Sequence, residues 1–167
     1  MNKKTKGAIA AGAAALLLAG GAGSFALWSD SESLNGGTIT AGTLTLSTQG
    51  TPSWSDQNGP IDIATFLAVP GDVLTYKTQA VIGATGDNLE AAITVDPTSI
   101  TGDLKTALGT PAVSMKIGST SVTTITDDND TDLVDVEVAF TFAQSSDNTS
   151  QTKTASLANL TLELQQQ

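Results

Sequence analysis

The sequence LVDVEVAFTF, residues 133–142, alternates apolar and polar side chains with a period of two residues. One side of the extended chain carries Val134, Val136, Val138 and Phe140, and the other carries Asp135, Glu137, Ala139 and Thr141. Successive side chains of a β-strand point to opposite faces, so this pattern predicts a strand with one buried face. Leu157, Leu160, Leu162 and Leu164 indicate a second strand in the same way.

Short runs rich in Thr, Val, Ile and Leu surround these two strands, with Gly, Pro, Asn and Asp between them. That composition is typical of strands and turns. The predicted strands are Thr38–Leu46, Ile61–Leu67, Val73–Ile82, Leu89–Val95, Ala112–Ile117, Ser121–Ile125, Leu133–Phe142 and Leu157–Leu164. Residues 48–60, TQGTPSWSDQNGP, are interpreted as a polar loop, and Ile100–Leu108 as one short helical turn. We therefore predict an all-β fold, a two-sheet sandwich of jelly-roll type, preceded by an N-terminal signal helix.

The N-terminus has the layout of a secretory signal. Lys3, Lys4 and Lys6 precede an uncharged stretch that ends in the small residues before Leu27. We place the cleavage between Ala26 and Leu27. The alternative is an uncleaved anchor, because residues 7–29 are as long as the ~20 residues that span a bilayer, although Ala and Gly dominate them. The expected organisation is a signal peptide at 1–26, an arm at 27–36 and one domain at 37–167.

Charge excludes several classes of partner. Removal of the signal leaves four lysines and no arginine against seventeen acidic residues, a net charge of −13. Such a surface repels phosphate backbones and anionic lipids, so we expect neither nucleic-acid binding nor membrane contact, except through the uncleaved precursor. The chain has no cysteine, so a disulfide cannot stabilise it outside the cell.

The chain contains neither His nor Cys, which removes most catalytic options. A Ser-His or Cys-His nucleophile and a zinc site with nitrogen or sulfur ligands are both excluded. A carboxylate pair of the glycosidase kind stays open, but no spacing of the acidic residues singles out a pair. We predict a protein that is not an enzyme, with an extracellular hydrolase as the least favoured alternative.

One acidic cluster suggests a metal. Asp128, Asp130 and Asp132 have the spacing of the first ligands of a calcium loop. The rest of that pattern fails, since Leu133 stands where the turn glycine is needed and Ala139 where the bidentate Glu is needed. The interpretation that we favour is a solvated, self-repelling hairpin tip between the strands Ser121–Ile125 and Leu133–Phe142. Calcium is the one cofactor that the sequence suggests; otherwise we expect none.

Three stretches resemble the camelysin/TasA family and related exported proteins. The first combines Lys3–Lys6, the Ala/Gly/Leu core, Ala26, Trp28-Ser29-Asp30 and the run Gly42–Leu46. The second, residues 67–95, contains a turn similar to the family's Pro-Gly-Asp turn, here Pro70, Gly71 and Asp72, leading a strand pair. The third, residues 136–167, is similar to the closing hairpin of actinobacterial "alternate-type signal peptide" exported proteins.

The resemblance implies export through the general secretory route, cleavage by a dedicated signal peptidase and a jelly-roll subunit of extracellular fibres or biofilm matrix. It also implies that the segment after the cut is donated as a strand to the next copy. That arm would be residues 27–35, with Leu27, Trp28 and Leu34 as its apolar contacts. The family's metallopeptidase label has no chemical basis in a chain without His and Cys.

The leading hypothesis is a secreted or cell-surface structural subunit that forms homo-oligomers or filaments by β-strand addition. The residues alone leave open whether Trp28 belongs to such an arm or to a first strand that packs into its own domain. The alternative is a monomeric cell-surface adhesin or binding module whose acidic loop holds calcium.

Overall fold

The computed structural model describes residues 31, 32 and 34–167. The predicted signal helix, the cleavage site at Ala26 and Leu27, and Trp28 lie outside the described residues. Residues 40–167 form one compact unit. Within the described part of the chain, no helix has the length and apolar character that a membrane span requires.

Most of the regular secondary structure of the compact unit is antiparallel strand, which confirms the all-β prediction. The strands are β1 (Thr43–Asp56), β2 (Gly59–Ile61), β3 (Val73–Thr85), β4 (Ala91–Val95), β5 (Ala112–Ile117), β6 (Thr120–Val122), β7 (Leu133–Thr141) and β8 (Leu162–Gln166). One short helix, α1 (Lys105–Leu108), confirms the helical turn predicted between residues 100 and 108. Single 3₁₀ turns occur at Pro97–Ser99, Asp127–Asn129 and Asn148–Ser150.

Six strands form the larger sheet, in the order β2-β1-β3-β7-β5-β6. Strand β7 lies inside this sheet, paired with β3 over nine residues and with β5 over six. The side chains of Val134, Val136, Val138 and Phe140 are buried, as the alternation predicts. They share the inner face with Leu74, Ala80 and Ile82 of β3 and Met115 of β5. The opposite face is mainly polar, so only one face of this sheet belongs to the core.

The smaller sheet contains only β4 and β8, paired from Ala91↔Gln166 to Val95↔Leu162. Ile93 is buried, whereas Leu162 and Leu164 are half-buried. Residues outside the strands complete this side of the core: Leu89, Ile100, Leu108 and Ile125. The cover over the larger sheet therefore comes as much from loops as from strands.

The predicted polar loop at residues 48–60 is wrong, because most of it belongs to β1 and β2. A bulge between Gln49 and Ser53 contains Gly50 and Pro52, which do not pair with β3. The pairing with β3 resumes at Ser53. Trp54 consequently faces the core, with its ring centroid 5.1 Å from that of Tyr76 and 5.7 Å from that of Phe140. Packing of Trp54 against Tyr76 and Phe140 stabilises this segment as a strand, although its composition is typical of a loop.

Two predicted strands are much shorter than expected. After Ile61 the carboxylate of Asp62 accepts a hydrogen bond from the amide of Ala64 at 3.0 Å, which turns the chain and ends β2. Residues 157–161 precede β8, and the amide of Leu160 donates to the carbonyl of Leu157 in a turn. Thr38–Gly42 are likewise outside any strand, so β1 begins five residues later than predicted.

Three pairings predicted between consecutive strands are also wrong: β6 with β7, β3 with β4, and β7 with β8. Strand β6 forms a hairpin with β5, closed by Gly118 at φ 60°, and does not pair with β7. Residues 127–132 are therefore a crossover and not a hairpin tip. Strands β3 and β4 belong to different sheets, as do β7 and β8, so neither the strand pair after Pro70-Gly71-Asp72 nor a closing hairpin is present.

Candidate functional site: the open edge of the larger sheet

Strand β1 leaves most of one edge unpaired. It pairs with β3 over Thr43–Gln49 and Ser53–Ser55, whereas β2 covers its other edge only at Trp54–Asp56. Among the described residues, no strand pairs with the outer edge of residues 43–53. An unpaired row of backbone N–H and C=O groups is a template for another strand.

A groove runs along the core side of this edge, and we call it the edge groove. It has a volume of about 270 Å³. Its lining combines apolar and hydroxyl-bearing side chains: Leu46, Thr48, Tyr76, Thr78, Leu160, Thr161 and Leu162. The lining residues come from β1, from β3 and from the segment that leads into β8. Such a groove can accept an extended peptide that buries every second side chain.

The segment before β1 carries unburied apolar side chains. Leu34 is 86% exposed and Ile39 is 97% exposed. Leu34 is the one predicted arm contact within the described residues, while Leu27 and Trp28 lie outside them. Ile39 lies in a segment whose alternation predicts a half-buried strand, so it is not among the arm contacts expected from the sequence. The signal was present, since residues 36 and 37 are glycines and break the apolar pattern just before it.

The Pro70-Gly71-Asp72 turn fastens the loop before β3 to the larger sheet. Asp72 is only 8% exposed, and its carboxylate accepts hydrogen bonds from the amide of Val69 at 2.8 Å and from Nε2 of Gln57 at 3.0 Å. Gly71 has a φ of 102°, which a residue with a Cβ adopts only with strain, and its amide donates to the carbonyl of Phe142. These contacts give the turn a structural role, apart from the edge groove.

The acidic loop uses its carboxylates as internal hydrogen-bond acceptors. Asp130 accepts from the amide of Ala84 in β3 at 2.8 Å, and Asp132 accepts from Nδ2 of Asn129 at 3.2 Å. Asp128 is exposed. Thr131 has a φ of 66°, and its amide donates to the carbonyl of Ile82. In the described part of the chain, no three acidic side chains are grouped closely enough to hold a metal ion, and calcium binding stays a prediction.

A second, polar groove lies on the outer face of the larger sheet, where Asp135 and Glu137 stand two residues apart on β7. Nζ of Lys77 lies 3.1 Å from Oε1 of Glu137, and Nε2 of Gln79 donates to Oδ1 of Asp135 at 2.8 Å. Both carboxylates therefore have neighbouring donors within the sheet.

Three aspartates, the half-buried Asp56 and Asp96 and the exposed Asp147, have lowered pKa values, and each caps a turn. The Asn58 amide holds the pKa of Asp56 below its usual value of 3.8. The hydroxyl and amide of Thr98 lower the pKa of Asp96, and those of Thr149 lower the pKa of Asp147. Asp96–Ser99 and Asp147–Ser150 share the pattern Asp-x-Thr-Ser and the same bonds. Each carboxylate is ionised at neutral pH and fixes a local turn.

No protein-family model, curated protein or solved structure matches this chain.

Proposed function

We propose that this chain is a structural subunit of extracellular fibres or biofilm matrix, in which each copy accepts a strand from a neighbouring copy at the open edge of β1. The unpaired edge beside the edge groove is the observation that carries the proposal. A donated strand would pair with the backbone of β1 and place alternate side chains against Leu46 and Tyr76. Strand addition of this kind combines affinity from backbone bonds with specificity from side-chain pockets.

The donor segment is the arm that precedes β1. Leu34 and Ile39 are large, exposed apolar side chains within ten residues of the strand. On this proposal Ile39 is a further apolar contact: in a donated strand it would lie on the same face as Leu27, whereas Trp28 and Leu34 would lie on the other face. An arm from one copy that fills the groove of the next makes a head-to-tail contact, which yields open filaments unless the rotation closes.

The remaining parts of the proposal rest on the N-terminal sequence and on the resemblance to the camelysin/TasA family. The chain is exported, its signal is removed between Ala26 and Leu27 by a signal peptidase, and the mature protein is at the cell surface or in the matrix. The fold, on this proposal, is a jelly roll whose larger sheet is extended by the donated strand at the edge of β1. Burial by a neighbour would stabilise a domain that has no disulfide.

The first test compares a chain that starts at Leu27 with one that starts at Thr40, the first residue of the compact unit. We expect the longer chain to form filaments or large oligomers in negative-stain microscopy and size-exclusion chromatography, and the shorter chain to stay monomeric. A peptide of residues 27–41 should bind the shorter chain and raise its Tm, because it binds only the native state. A scrambled peptide is the control.

A matched pair of substitutions tests the acceptor. Leu46→Glu places a carboxylate in the edge groove, whereas Ser47→Glu places one on the exposed opposite face of the same strand. We expect only Leu46→Glu to abolish assembly, with circular dichroism confirming that both variants fold. If both variants assemble like the parent, or if both chain lengths are monomeric, strand addition at this edge is refuted and the adhesin alternative takes precedence.

A further inference from the structure

The chain contains two Asn-Gly pairs, Asn35-Gly36 and Asn58-Gly59, in very different surroundings. Asn-Gly is the dipeptide most prone to spontaneous deamidation, because glycine has no Cβ to hinder the approach of its amide nitrogen to the preceding side chain. Reaction requires that nitrogen to be accessible and the backbone to be free to rotate. The two sites therefore allow a direct comparison within one molecule.

The carboxylate of Asp56 binds both groups that would react at Asn58-Gly59, the backbone amide of Gly59 and the side-chain amide of Asn58. The amide of Gly59 donates to Oδ1 of Asp56 at 3.0 Å, and Nδ2 of Asn58 donates to Oδ2 of Asp56 at 3.1 Å. The amide of Asn58 also donates to Oδ1, at 2.8 Å. Because the pKa of Asp56 is lowered, this carboxylate stays ionised and keeps all three bonds at neutral pH. The pairing of Asp56 with Gly59 fixes the backbone as a hairpin.

Asn35-Gly36 has none of these restraints among the described residues. Asn35 is exposed and outside any strand or helix. The amide of Gly36 donates to the carbonyl of Leu34 at 3.1 Å, a local bond that a single rotation breaks. A Cβ built on Gly36 would meet no atom within 4 Å, and the same is true of Gly37, so there is room for a five-membered ring to form.

From this contrast we propose that Asn35 is a site of spontaneous deamidation and that Asn58 is protected. Base removes the proton from the Gly36 amide, and its nitrogen attacks Cγ of Asn35. The new C–N bond closes a succinimide while the Cγ–Nδ2 bond breaks and ammonia leaves. Water then opens either carbonyl of the ring and yields aspartate or isoaspartate.

The modification changes the arm in two ways, and this consequence rests on the proposed function. It adds a negative charge between Leu34 and Ile39, in a chain that is already strongly acidic. Isoaspartate also inserts an extra carbon into the backbone, which breaks the two-residue alternation of side chains between the parts of the arm before and after position 35. Aged arms should therefore be donated less well than fresh ones, which limits the time over which a free subunit can assemble.

The test is peptide mapping by mass spectrometry of the chain starting at Leu27 during incubation at mildly alkaline pH in water enriched in oxygen-18. We expect the peptide with Asn35 to gain the label many times faster than the peptide with Asn58. Asp56→Ala should speed labelling at Asn58 and leave Asn35 unchanged, with circular dichroism to confirm the fold. Gly36→Ala should slow labelling at Asn35. Equal rates at the two sites, or faster labelling at Asn58, would overturn the proposal.

Assembly is measured separately, by sedimentation of fresh and aged protein. Loss of assembly in proportion to the labelled fraction supports the effect on the arm. If Asn35 deamidates and assembly does not change, the modification site stands and the role of the arm in strand addition fails.

Discussion

Strands β7 and β8 have the same kind of alternating sequence but very different surroundings. The four inward side chains of β7 are at most 1% exposed, since β7 has a paired strand on each side and a cover above it. Strand β8 pairs only with β4, and Leu162 and Leu164 stay half-buried. Alternation thus reveals that a segment is a strand, whereas the number of neighbours decides how much its side chains contribute to stability.

The largest expected effect comes from removing the most enclosed side chain. Phe140→Ala should lower the free energy of unfolding by about 3–5 kcal/mol, because it leaves a cavity beside Trp54 in the fully buried core. Leu164→Ala in β8 should cost only about 1 kcal/mol, since its side chain is already half solvated. Urea unfolding followed by circular dichroism measures both. Similar costs for the two variants would mean that β8 is as much a part of the core as β7.

An intermediate effect is expected at Asp72, which joins the loop before β3 to the larger sheet. Asp72→Ala removes the acceptor for the Val69 amide and the Gln57 side chain and should cost about 1–3 kcal/mol. Asp72→Asn should cost less, because the amide oxygen can still accept one of the two bonds. Asp128→Ala is the control, as Asp128 is exposed in the acidic loop. Thermal unfolding of the three variants and of the parent measures the loss of stability in each variant and so tests this order.

The smallest expected effect is that of low pH on stability, which should destabilise the smaller sheet before the larger one. Asp96 directly follows β4, and Asp147 lies in the segment that leads to β8. Both aspartates have folded-state pKa values below the usual 3.8. Their ionised carboxylates therefore contribute fully to folding stability above that pH, and the contribution is lost as the pH falls through the lower folded-state pKa values. Hydrogen exchange below pH 4 should therefore open β4 and β8 before β3 and β7.

The matched variants for this experiment are Thr98→Val and Thr149→Val, which remove the hydroxyl donors to Asp96 and Asp147. Each should raise the pKa of its aspartate towards 3.8, as measured by NMR titration of the carboxyl carbons, and should weaken the acid response of β4 and β8. An unchanged order of opening in the double variant would show that these turns do not control it.

Some parts of the fold were readable from sequence because they depend on local chemistry. Val73–Ile82, Ala112–Ile117 and Leu133–Phe142 were placed nearly to the residue, since apolar alternation bounded by turn residues needs no partner to be recognised. Trp54 was misplaced because Gly50 and Pro52 beside it indicate a loop, and only pairing with β3 reveals that they form a bulge. The edge groove was not predicted at all, because its lining residues come from β1, β3 and the segment before β8.

The sequence alone therefore determined the all-β class, the acidic character of the chain and the exclusion of His- or Cys-based chemistry, because these follow from composition and from the two-residue period of strands. Only the tertiary structure decided which strands are neighbours, that the smaller sheet has two strands, and that β1 has an unpaired edge. Pairing joins residues far apart in sequence through backbone bonds that every residue can make, so the side chains alone do not specify it.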